Sequence, residues 1–143
     1  MPRLVPVVAA LLAVPVLAAD PGSASEAAQG YTLDSGASTV AVKVGGSGKL
    51  VVVIRPKAPT WHVHPQAPLK VRFEAPAGLK LERAELSRKD AVDPEAAEPR
   101  FEASFLAAAA GAQEAKASVD FFICSDSACV KQARTLPIPV SVK

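Results

Sequence analysis

Strict alternation of apolar and polar side chains is the feature that most narrows what this chain can become. In Leu69-Lys70-Val71-Arg72-Phe73-Glu74 each apolar residue is followed by a charged one, the pattern of a strand with one wet face, because successive side chains of a strand point to opposite sides. Leu79-Lys80-Leu81-Glu82-Arg83-Ala84-Glu85-Leu86 begins in the same way. Phe101, Ala103 and Phe105 alternate with Glu102 and Ser104, and Ala117, Val119, Phe121 and Ile123 with Ser118 and Asp120. At the end Leu136, Ile138, Val140 and Val142 alternate with Pro137, Pro139 and Ser141. Two β-branched runs, 39–44 and 50–54, flank Gly45-Gly46-Ser47-Gly48, which predicts a hairpin-like connection. Ala107 to Ala110 are read as a strand end, with a turn at Gly111, because the alternation of 101–105 runs into them.

Thirteen prolines, with turn signals at 56–59, 65–68, 76–78 and 93–94, argue against a helical bundle. The reading is all-β: an immunoglobulin-like antiparallel β-sandwich of about seven to eight strands. Pro137 and Pro139 donate nothing to a ladder, so the last strand is expected at an edge, or bonded on one side only there.

The N-terminus sets the compartment. Arg3 precedes 14 uncharged residues, 4–17, and Val16-Leu17-Ala18 supplies the small side chains of a processing site before Asp20. This is the order of a secretory signal, and the run is short of the roughly 20 residues that span a bilayer. Residues 1–19 are therefore expected to be a cleaved signal peptide, 20–30 a flexible small and polar leader, and 31–143 the folded domain. A periplasmic or secreted protein follows, with no membrane span after signal removal. The only cysteines, Cys124 and Cys129, lie far from the cut, so no lipid anchor is expected there. Removing Arg3 leaves 15 basic and 14 acidic side chains, and no Lys/Arg cluster is interleaved with aromatics, so nucleic acid is not an expected partner.

The most informative segment is 121–130, Phe121-Phe122-Ile123-Cys124-Ser125-Asp126-Ser127-Ala128-Cys129-Val130. If 125–128 is a hairpin loop, the two cysteines face each other across it, and an exported chain keeps such a pair oxidised. A ring of about six residues removes only about 2 kcal/mol of chain entropy. Two readings stand: a disulfide that pins a hairpin tip, or a redox pair reachable by a partner's thiol. Lys131 and Arg134 favour a thiolate and Asp126 opposes one.

Residues 119–142, with the aromatic-rich strand, the two cysteines around a polar loop and the final strand, resemble the end of the N-terminal periplasmic domain of the thiol:disulfide interchange protein DsbD. Trp61-His62-Val63-His64 and Pro68-Leu69-Lys70-Val71 are similar to an earlier part of that domain. The resemblance implies an immunoglobulin-like fold, Cys124 and Cys129 as an exchanging pair, and periplasmic or membrane thiol-disulfide proteins as partners.

His62 and His64 share a face if they lie in one strand, which makes half of a copper or zinc site; the stronger reading is two partly exposed histidines beside a buried Trp61. No nucleophile motif is present, and 45–48 lacks the lysine of a phosphate loop. No cofactor is expected. The leading reading is an exported thiol-disulfide exchange module, at most an oxidoreductase. The alternative is a non-enzymatic periplasmic binding or structural domain with a hairpin disulfide.

Overall fold

A computed structural model of the chain describes residues 21–143; the expected signal peptide, 1–19, lies outside the described residues. The described elements are helix α1 (Pro21–Gln29), strands β1 (Tyr31–Asp34), β2 (Ala41–Val42), β3 (Ser47–Pro56), β4 (His62–Val63), β5 (Lys70–Glu74), β6 (Leu79–Leu81) and β7 (Glu85–Ser87), a 3₁₀ turn (Arg88–Asp90), and strands β8 (Arg100–Ala107), β9 (Gly111–Cys124) and β10 (Cys129–Val142). One sheet runs β1-β3-β8-β6 and the other β2-β10-β9-β5-β7, with β4 also on β9. Every pairing is antiparallel except β2 with β10. This is the strand order of an immunoglobulin sandwich.

The alternating residues close the core between the sheets, as the sequence pattern requires. β9 contributes Ala115, Ala117, Val119, Phe121 and Ile123, β8 Phe101, Ala103 and Phe105, β5 Val71 and Phe73, and β10 Ile138 and Val140. Each large side chain moved out of water contributes about 1.5–3 kcal/mol. β3 breaks the alternation with five buried residues in a row, Leu50 to Ile54. Ser38 explains part of this: its hydroxyl accepts the Val51 N–H at 2.8 Å and donates to the Val51 carbonyl at 3.1 Å. The preceding loop thus takes the place of a neighbouring strand at Val51.

Three local expectations give way. The run 79–86 is not one strand. Glu82 still donates its N–H to Ser104 beside β6, whereas the Ala84 carbonyl already accepts from Phe73 of β5, so the chain changes sheets within the exposed stretch 82–85. This split, with β1 and the two-residue β4, which no alternating run marked, raises the strand number to ten. The glycine-rich stretch 45–48 does not close a hairpin either, because β2 and β3 belong to different sheets. Gly45 has φ +83° and Gly46 donates to the Lys43 carbonyl at 2.8 Å, which turns the chain from one layer to the other. Finally, where composition suggested a flexible leader, 21–29 form α1; its Ala27 is fully buried, and the helix packs on β10.

The expectation for the last strand holds in its second form: β10 lies between β2 and β9, but at Pro137 and Pro139 it is bonded to β9 alone. Ser141 and Lys143 donate their N–H groups outward, to Val40 and Val42, so the backbone N–H groups of odd-numbered residues of β10 point away from β9. Pro137 and Pro139 have the same parity, and their missing donors cost β9 nothing. They deny that stretch of edge to a further strand.

Candidate functional site

The β9–β10 hairpin brings the cysteines together. Ser125 donates its N–H to the Ala128 carbonyl at 2.8 Å and closes the loop. One rung further in, Cys124 and Cys129 are register partners with Cα atoms 4.1 Å apart, joined as a disulfide. A directly opposed pair without ladder hydrogen bonds has this close approach, about 4.5 Å. Cys124 is 1% exposed, whereas Cys129 is exposed at the tip. On the other side of β9, His62 of β4 is the register partner of Cys124. One rung of the second sheet therefore reads His62, Cys124, Cys129.

His62 and His64 do not share a strand face, because β4 ends at Val63. His64 instead organises the following loop. Its N–H donates to the Phe122 carbonyl at 3.0 Å, and its Nδ1 accepts the N–H groups of Gln66 at 3.0 Å and Ala67 at 2.8 Å. The lone pair that Nδ1 would offer a metal is thus occupied. Among the described residues, no group of three or more His, Cys, Asp or Glu side chains is placed to hold a metal ion.

Arg88 is tied to the same loop: its Nη2 donates to the His64 carbonyl, while its Nε is sealed from solvent without a partner. Burial lowers the pKa of this guanidinium, since removing a cation from water disfavours its charged form. Asp90 holds the 3₁₀ turn that carries Arg88. Its carboxylate accepts the Ser87 N–H at 2.9 Å and the Ser87 hydroxyl at 3.0 Å, and pairs with Arg83 at 2.9 Å. The Ser87 N–H chiefly holds its pKa below the ordinary carboxylate value. A lowered folded-state pKa contributes stability that is complete above the unfolded-state value and is lost as pH falls through the folded one. Asp90→Asn is therefore expected to lower the urea midpoint at neutral pH and to flatten its decline between about pH 5 and pH 2. An acid profile parallel to that of the parent protein would refute this.

Beyond the disulfide rung, the outer face of the sheet carries Phe122 opposite Lys131 and Asp120 opposite Lys70. A hollow of about 320 Å³ lies among Pro68, Lys70, Asp120, Phe122 and Lys131. A second, of about 370 Å³, shares Pro68 and Lys70 and continues to Gln66, Ser87, Arg88 and Lys89. These residues come from separate elements, which is why no contiguous motif announced them. One signal was present: Phe121-Phe122 places an aromatic residue where alternation demands a polar one.

No protein-family model matches the sequence, and no curated protein matches it significantly. Among solved structures, the chain is similar to a conjugative transposon lipoprotein from Bacteroides eggerthii, at 10% identity over 78% of this chain and 96% of that one, TM-score 0.43. It is also similar to a conjugate transposon protein from Bacteroides vulgatus, at 12% identity over 78% and 83%, TM-score 0.44. At this distance neither carries an activity to this chain. They do correct the resemblance drawn from the cysteine stretch: the structural neighbours are these transposon proteins and other β-rich domains, not the DsbD domain. Two strands of a sandwich, a polar loop and a cysteine on either side of it make a disulfide-closed hairpin whatever its role, so that pattern does not single out an exchange protein. The resemblance therefore lends no support to thiol-disulfide partners or to an exchanging role for Cys124 and Cys129.

Proposed function

We propose that this chain is an exported, non-enzymatic β-sandwich domain that binds or spaces other molecules, with the Cys124–Cys129 disulfide as a structural staple. The N-terminal order of Arg3, apolar run and small residues supports export, with processing near Asp20, just ahead of α1. A disulfide suits an oxidising compartment, and among the described residues no helix is long and apolar enough to cross a membrane.

The observation that carries the structural reading is the position of Cys124: it is buried within the sheet, flanked on one rung by His62 and Cys129. Attack by an outside thiolate needs access to a sulfur, and here half the bridge is part of the packed hairpin. The Cys124→Ser/Cys129→Ser double variant is expected to keep its far-ultraviolet circular dichroism and to lose about 2 kcal/mol of stability, the entropy of a six-residue ring. Equilibration with graded dithiothreitol should place the bridge below about −300 mV, the range of inert structural disulfides. A potential near the glutathione range, with a mixed disulfide trapped on the exposed Cys129 in Cys124→Ala, would overturn the proposal.

A further inference from the structure

We infer that the outer face beside the disulfide docks an acidic peptide segment of a partner protein, its carboxylates held by Arg88, Lys89 and Lys131 and an apolar side chain seated on Phe122 and Pro68. This inference rests on the binding-domain reading and deepens it. The two hollows share Pro68 and Lys70 and form one continuous surface. Four cations, Lys70, Arg88, Lys89 and Lys131, line it against a single carboxylate, Asp120; Lys70 is already paired with Glu85 at 3.3 Å, which leaves Arg88, Lys89 and Lys131 to meet an incoming anion.

The arginines show how unusual this is within the molecule. Among the described residues, Arg55, Arg72, Arg83 and Arg100 pair with carboxylates. Arg134 stands over the Tyr31 ring, 5.7 Å from its centroid. Arg88 has neither kind of partner. It is pinned to the His64 carbonyl with its Nε sealed and unbonded, so part of its charge is desolvated without compensation. A carboxylate arriving at its free edge would supply a charge-assisted hydrogen bond in a setting that screens charge poorly. The same loop is held in shape by His64 Nδ1, which fixes both the arginine and the Pro68 wall before anything binds.

The apolar floor selects a peptide among anionic partners. Phe122 is half-buried on an otherwise polar face, with Pro68 beside it and Ala67 and Leu69 continuing the wall. A peptide carries both acidic and apolar side chains in one strand, whereas an anionic glycan offers no apolar side chain and a lipid surface does not enter a hollow.

The test uses the oxidised mature chain, residues 20–143, and a fluorescein-labelled peptide alternating Glu with Leu, read by fluorescence anisotropy. A peptide with Gln in place of Glu, heparin, and phosphatidylglycerol vesicles are the comparison arms. Binding of the acidic peptide is expected to weaken about tenfold in Lys89→Glu/Lys131→Glu, whose substituted side chains are exposed, and to fall with added salt. Phe122→Ser should weaken it severalfold, with the thermal midpoint of the charge variant unchanged. Equal binding of the Glu and Gln peptides, an unaltered affinity in the charge variant, or tighter binding of heparin or vesicles would overturn the inference. Thiol trapping on the same samples reports separately on the structural reading of the disulfide, so either idea can fail alone.

Discussion

Phe121→Ala is expected to destabilise the domain by about 4 kcal/mol, within the range for removing a buried phenyl ring from a core that cannot collapse around the gap. Phe121 is 1% exposed on the core face of β9, toward its hairpin end. Its ring meets Tyr31 edge-on, with centroids 4.8 Å apart, a geometry worth about 0.5–1.5 kcal/mol beyond buried area. Tyr31 in turn donates its hydroxyl to Gln132 at 2.9 Å and lies under Arg134, so the ring supports a tie between β1 of one sheet and β10 of the other. Against a typical total of 5–15 kcal/mol, the loss is a large fraction. Urea denaturation followed by the fluorescence of Trp61, the single tryptophan, measures it. A loss under about 1 kcal/mol would mean that the neighbours relax into the space and that the tie does not depend on the ring.

Gly48→Ala should be the next most damaging change, about 3 kcal/mol, the upper end of what overpacking costs. Gly48 is the register partner of Phe105. A Cβ at this position would lie 2.6 Å from Phe105 Cζ and 2.8 Å from Thr39 Cβ. Phe105 is fully buried, and Thr39 is held by reciprocal hydrogen bonds with Lys49 at 2.8 and 3.0 Å. Neither can step aside freely. Coupling to Phe105→Leu is the decisive check: the shorter side chain should make the alanine less costly, giving a non-additive double mutant. Strict additivity would show that the clash is not the cause.

The contrast with Gly45 separates two reasons for a glycine. Gly45 has φ +83° and open space where a Cβ would go, so its requirement is conformational. Both glycines lie in the stretch that looked like a simple hairpin connection. Only the assembled sandwich shows that one turns the chain between layers and the other makes room for a phenyl ring.

Alternation was legible wherever a strand has one buried and one wet face, as in β5, β8, β9 and β10, because period two follows from backbone geometry alone. The cysteine pair was legible for the same local reason: a four-residue loop between two strands puts its flanking residues opposite each other. The chemistry attached to that pair was not, since a short disulfide at a hairpin tip looks alike in an exchange protein and in a stapled one. Pro137 and Pro139 marked an edge before any partner strand was known, because a missing donor is a property of the residue itself.

Local chain chemistry is thus enough for the strand faces, the hairpin that joins Cys124 to Cys129, and a stretch at Pro137 and Pro139 that takes no further strand. Tertiary structure alone decided the rest. The crossing of 82–85 between sheets, the burial of Val51 under Ser38, the seat of α1 on β10, and the meeting of Lys70, Arg88, Phe122 and Lys131 each depend on residues far apart in the chain. Such contacts exist only once strands have paired and the two sheets have stacked, which fixes the distant segments that become neighbours, and no local periodicity encodes that pairing.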